Sequence, residues 1–112
     1  MSQDEKLVGR PIAIRANDFV NVVLHGRIES VEATTKSILI ALNEPVVIGE
    51  SKYERVIASA RLVRDDLAAL ATKGTLGCGV TWIPVAKYNA RRPFDLSWWR
   101  GGGAAIADVL LQ

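Results

Sequence analysis

The sequence has little of the chemistry that marks catalytic and metal sites. Its 112 residues include one cysteine, Cys78, and one histidine, His25. A single thiol excludes an intrachain disulfide and favours a reducing compartment. Zinc sites need several cysteine or histidine ligands. A Cys78–His25 nucleophile pair is disfavoured because Cys78 falls on the apolar phase of its strand, where thiols are usually inert. We therefore predict no metal, no cofactor and no catalytic residue.

Long apolar runs and a strong net charge are also missing. No window approaches the roughly 18 apolar residues of a membrane span, and the opening MSQDEKL is polar. We therefore expect a cytoplasmic protein without membrane contact. The net charge of +2 is too small to indicate nucleic-acid binding by itself. The glycines at 101–103 lack the Lys-Ser/Thr pair that follows the glycines of a phosphate loop, so we expect a hinge there.

Apolar residues that alternate with other residues dominate the chain and predict β-strands. Ile12 and Ile14 form one such pattern, and Ile38 and Ile40 form another. Within 53–63, one phase is apolar and the other carries Arg55, Ser59 and Arg61. Ile57 interrupts this polar phase, which indicates a covered patch on the outer face.

The segment 21–33 predicts the most strongly bent strand. Leu24, Gly26 and Ile28 share one face, but the next apolar residue, Val31, follows after three positions. A β-bulge near residues 29–30 would absorb this change of phase. Gly26, on the inward face, suits a tight bend.

One short helix is predicted from Asp65 to about Lys73, with Gly74 as the residue that ends it. A strand follows, in which Leu76, Cys78, Val80 and Trp82 alternate with Gly77 and Gly79.

Five or six short antiparallel strands with one helix before a late strand resemble the small SH3-like or Sm-like barrels. The resemblance covers Gly9 to Pro84 and is one of element order, with a vague likeness to an Sm signature at Leu24-His25-Gly26. It implies a mainly β, single-domain protein over residues 1–112. We expect a flexible N-terminus at 1–6 and a barrel at 7–90. Residues 91–112 would supply a C-terminal strand, the glycine hinge and a docking segment.

The stretch RRPFDLSWWRGGG predicts where a contact surface lies. If 94–100 is a strand, Phe94, Leu96 and Trp98 face the core while Trp99 faces the surface. An exposed ring of that size is typical of an interface. The apolar segment 104–112 is too short for an isolated helix and must dock on its own barrel or on another copy.

These patterns favour a non-catalytic protein-interaction or regulatory module that binds a protein partner, itself, or both. The expected contact residues are Trp99, Arg100, Arg92, Arg55 and Arg61. A first alternative is a single-stranded RNA or DNA binder that uses Trp99 and the arginines. A second is a small-molecule-binding barrel with a cavity lined by Gly77, Gly79 and Trp82.

Overall fold

A computed structural model describes residues 7–16, 23–32, 34–60, 67–98 and 105–112. Six strands form a closed barrel in the order β1-β2-β3-β4-β5-β6, and every pairing, including β1 with β6, is antiparallel. This confirms the predicted mainly β barrel with one short helix, and it is consistent with the small SH3-like or Sm-like type. The elements are β1 (Pro11–Ala16), β2 (Val23–Glu32), β3 (Ser37–Ile48), β4 (Ser51–Ala60), α1 (Leu67–Lys73), β5 (Thr75–Pro84), a 3₁₀ turn (Val85–Lys87) and β6 (Ala105–Leu111).

The barrel interior is filled by the apolar phase that alternation predicts. Leu67 and Leu70 of α1, together with Leu7, also belong to this core. The strand residues at its centre are fully buried or nearly so: Ile12, Ile14, Ile28, Ile38, Ile40, Val56, Ala58, Leu76, Cys78, Val80, Ala107 and Val109. Burial of this apolar area is the main force that holds the six strands together.

The predicted bulge in β2 is confirmed. Ile28 pairs with Ile40 and Ser30 pairs with Leu39, so Glu29 is an extra residue that pairs with no residue of β3. Gly26 has a more specific role than the bend we expected. A Cβ atom there would lie 2.6 Å from the carbonyl oxygen of Ala41, so a side chain at this position would push β3 away.

Gly74 ends α1 as predicted. Its φ of +76° is left-handed, and its N–H donates to the carbonyl of Leu70 at 3.0 Å, which satisfies one of the free carbonyls at the helix end. The Gly74 carbonyl accepts from Leu111 N–H at 2.8 Å and so ties the helix end to β6. The predicted start of the helix at Asp65 lies outside the described residues.

The C-terminal segment docks on its own barrel as a strand, so the barrel extends beyond the predicted boundary at residue 90. β6 pairs with β1 on one side and with β5 on the other. It supplies Ala107 and Val109 to the core, which explains why an apolar tail of this length is needed. In the part of the chain that the structure describes, no helix combines the length and the apolar character that crossing a membrane requires.

Candidate functional site

A second apolar cluster lies on the outside of the barrel. Leu39, Ile57 and Ile83 come from the outward phase of β3, β4 and β5, yet they are only 0–3% exposed. Leu39 lies directly opposite Ile57 in the sheet. The covered patch that Ile57 predicted is therefore present.

The cover is residues 88–98, which we call the strap. Tyr88, Phe94, Leu96 and Trp98 of the strap pack on the outer cluster and are themselves half-buried. Phe94, Leu96 and Trp98 therefore do pack together, but against the outer cluster and not against the barrel interior. The prediction that a strand carries these side chains is wrong, because residues 88–98 form successive turns.

Asparagine and aspartate side chains explain why turns replace the strand. The Asn89 side-chain oxygen accepts from Arg91 N–H at 2.9 Å, and the Asp95 carboxylate accepts from Ser97 N–H at 3.0 Å. Such contacts mimic backbone turns and compete with extended structure. The hydrogen bonds from Ser97, with a smaller contribution from Arg92, lower the pKa of Asp95.

Arg55 joins β2, β4 and the strap. Its Nε and Nη2 donate to the two carboxylate oxygens of Glu29 at 2.9 and 3.3 Å, and its guanidinium lies 4.1 Å from the centre of the Tyr88 ring. The Glu29 carboxylate raises the pKa of Arg55, and desolvation opposes this effect. Arg55, which we expected to contact a partner, thus has intramolecular contacts through its charged end.

The other predicted contact residues fall in two groups. Arg92 is exposed at a turn of the strap, with Arg91 beside it and Lys87 a few residues before. Trp99, Arg100 and Arg61 lie outside the described residues, as do the glycines at 101–103. None of the ion pairs within the described ranges involves Lys87, Arg91 or Arg92. Lys87 was not predicted because it lies eleven residues before Trp98, the first of the two adjacent tryptophans.

Sequence reasoning also missed a groove at one end of the barrel. Its volume is about 310 Å³, at the lower end of the roughly 300–1,000 Å³ typical of ligand sites. β2 forms one wall with Val23, Leu24 and His25, and β3 forms the other with Asn43 and Glu44. In the sequence, Val23 and His25 simply alternate with Leu24, and alternation alone does not distinguish this segment from an ordinary strand.

Gly77 and Gly79, which we expected to line a cavity together with Trp82, lie on the opposite face of β5 from it. Gly77 and Gly79 occupy the outward phase of β5, whereas Trp82 shares the inward phase with Cys78 and Val80 and packs against the interior core. Successive residues of a strand point to opposite faces, so no single cavity on one face can be lined by all three. Trp82 instead meets Tyr53 edge-on, with ring centres 6.3 Å apart.

Searches of protein-family models, of curated proteins and of solved structures find no match for this chain. Within the described ranges, no three histidine, cysteine or acidic side chains lie close enough to hold a metal ion. The candidate sites are therefore defined by the geometry alone: the cationic turn of the strap, and the groove between β2 and β3.

Proposed function

We propose that this protein is a non-catalytic β-barrel interaction module that binds a protein partner or a second copy of itself. The contact surface is the strap together with the Trp99–Arg100 pair that follows it in the chain. Its place of action is the cytoplasm, a proposal supported by the single thiol, Cys78, which is buried in the core.

The observation that carries this proposal is the position of the strap cations. The apolar side of the strap is used inside the molecule, on Leu39, Ile57 and Ile83. Its other side presents Arg91 and Arg92 in consecutive exposed positions. Arginine and tryptophan are enriched at protein–protein interfaces, particularly among the residues that contribute most to affinity.

An exposed apolar side chain next to the strap supports the same proposal. Val85, in the 3₁₀ turn that leads into the strap, is 45% exposed. Apolar surface next to cations favours a protein partner, because a protein can bury it. The phosphates of a nucleic acid bind through charge.

A crosslinking experiment tests the proposal. An amine-reactive crosslinker applied to the protein at increasing concentration, and then to the protein in a lysate of its source organism, should give crosslinks at Lys87. The double variant R91E/R92E should lose them. The control R10E/R15E makes the same change of charge at Arg15 of β1 and at Arg10 just before it, and should keep the crosslinks. β1 lies three strands from β4 in the barrel order.

Sedimentation velocity on the same three proteins separates a second copy from another partner. A shift to larger species with concentration, lost only in R91E/R92E, identifies self-association through the strap. The proposal is overturned if the protein stays monomeric and Lys87 forms no crosslink that depends on Arg91 and Arg92.

Single-stranded nucleic acid is the second candidate partner, and the exposed pair Arg91 and Arg92 is the observation that favours it. Titration of a single-stranded oligonucleotide should then quench tryptophan fluorescence, and the affinity should fall steeply between 50 and 200 mM salt by about tenfold or more. A titration without quenching at low salt excludes this candidate.

A further inference from the structure

The groove between β2 and β3 exists because the two strands stop pairing before either one ends. β2 pairs with β1 as far as Val23, but its pairing with β3 ends where Gly26 meets Leu42. Within the described residues, Val23–His25 therefore have a neighbouring strand on one side only. An exposed strand edge of this kind is a template for pairing with another chain.

β3 leaves β2 because of a large irregularity in its pairing with β4. Ala41 pairs with Arg55 and Val46 with Tyr53, so four residues of β3, at 42–45, lie opposite the single residue Glu54. Extra residues of this kind bend a strand, and two of these four residues, Asn43 and Glu44, line the groove.

The backbone of β2 points its free hydrogen-bonding groups into this groove. Ile28 N–H donates to Arg10 at 3.0 Å and Ile28 C=O accepts from Gly9 at 2.7 Å, both on the β1 side. Direction alternates along an antiparallel strand. The N–H and C=O groups of Leu24 therefore also face β1, whereas those of Val23 and His25 face the groove.

The side chains around the groove define what would pair there. His25 and Arg27 are exposed on the outer face of β2, and Arg15 is exposed on the neighbouring β1. Arg10, which directly precedes β1, is exposed as well. Neither ion pair of the described ranges includes any of these arginines. Leu24, on the inner phase, packs against the interior core. Glu44, on the far wall, is the carboxylate among the described lining residues.

We infer that the groove binds an extended, acidic segment of a partner protein, which adds as a strand to the edge of β2 at Val23–His25. Its main chain pairs with the N–H and C=O groups of Val23 and His25. One apolar side chain lies over Leu24, and the acidic side chains on either side of it lie on the outer face beside His25 and Arg27. Strand addition of this kind takes affinity from the main chain and specificity from alternate side chains. Opposite charges on neighbouring strands add to it.

This surface is separate from the strap, so the inference does not depend on the function proposed above. The probe is a capped seven-residue peptide of alternating aspartate and valine. Its control has lysine in place of every aspartate. Binding is followed by the backbone amide signals of the ¹⁵N-labelled full chain in NMR titrations.

The aspartate peptide should shift the amide signals of Val23, Leu24 and His25, and the lysine peptide should bind at least about tenfold more weakly. R27E should weaken binding of the aspartate peptide by a similar factor, whereas the control K87E, on the strap side, should not. V23P removes an N–H donor at the first position of β2, where proline is tolerated, and should also weaken binding. The control V47P, at an exposed position of β3 close to its turn into β4, should not.

The titration of the unaltered protein tests whether an acidic peptide binds at Val23–His25, even if a variant fails to fold. Equal binding of both peptides, or shifts confined to the strap or hairpin, would overturn the inference. So would shifts at Val23–His25 that appear on concentrating the protein alone and that block the peptide, because a second copy would then be the occupant. Displacement of the peptide by an oligonucleotide with greater affinity would instead assign the cationic face to nucleic acid.

Discussion

Two outer faces of the same barrel are built by the same alternation and are used in opposite ways. The outer face of β3, β4 and β5 carries Leu39, Ile57 and Ile83, and the chain's own strap covers it. The outer face of β1 and β2 carries Arg15, His25 and Arg27, and these side chains are exposed. Water opposes exposure of the first set and solvates the second. Side-chain chemistry at equivalent positions thus decides which face the molecule closes itself and which remains open for another molecule.

The largest loss of stability is expected from a substitution in the outer cluster, on the closed face. Leu39→Ala removes a fully buried side chain and should lower the free energy of unfolding by about 2–5 kcal/mol. Arg15→Ala, on the open face, should change it by no more than about 0.5 kcal/mol. Urea denaturation followed by circular dichroism measures both. Equal losses would mean that the two faces do not differ as described.

A substitution in the strap should lower the free energy of unfolding less than a substitution in the outer cluster that the strap covers. Phe94 is half-buried, so Phe94→Ala should cost roughly half of the 3–5 kcal/mol typical of a fully buried aromatic ring. Proteolysis should also cut the strap of this variant sooner than that of the parent chain. Unchanged stability would show that the outer cluster does not need the strap.

Arg55 and Glu29 link the strap to the open side of the molecule through a partly exposed ion pair. Glu29→Gln should cost about 0.5–1 kcal/mol, typical of such pairs. A double-mutant cycle with Arg55→Met measures the coupling, which should decrease in 1 M salt because screening shortens the range of the interaction to about 3 Å. A coupling of zero at low salt would assign the contribution of Arg55 to Tyr88 alone.

The smallest effect is expected at Asp95, which is exposed. Its lowered pKa means that the charged form is favoured by folding. The resulting stabilisation is present above the ordinary pKa of aspartate, about 3.9, and is lost as the pH falls through the lowered value. Asp95→Asn should therefore be slightly less stable than the parent chain at pH 6 and equal to it at the acid end. Thermal melts at several pH values test this, and a difference that persists in acid would contradict it.

The interior could be predicted because alternation reports burial directly. Ile12, Ile38 and Val56 lie where their phase placed them, and the change of phase before Val31 located the bulge at Glu29. The outer cluster was predicted from Ile57 alone, since an apolar residue in a polar phase needs a cover. These inferences need only the residues of one strand at a time.

The strap conformation and the groove were beyond such reasoning for different reasons. In the strap, the hydrogen bonds of Asn89 and Asp95 outweigh an alternating pattern, so the right residues are buried without a strand. The groove depends on where the pairing of β2 with β3 ends, and on the excess residues 42–45 of β3. Pairing between strands is a property of two segments, and one segment's pattern does not encode it.

The reaction rate of the Cys78 thiol reports how readily the barrel opens. Cys78 is fully buried, with its Sγ 3.3 Å from the carbonyl oxygen of Leu76. Its strand, β5, pairs with β6, the strand that closes the barrel on β1. A thiol reagent reaches such a position only when the surrounding structure opens, so its reaction rate measures the free energy of that opening. Every variant and ligand named above can thus be ranked by the same native reporter, without adding a label.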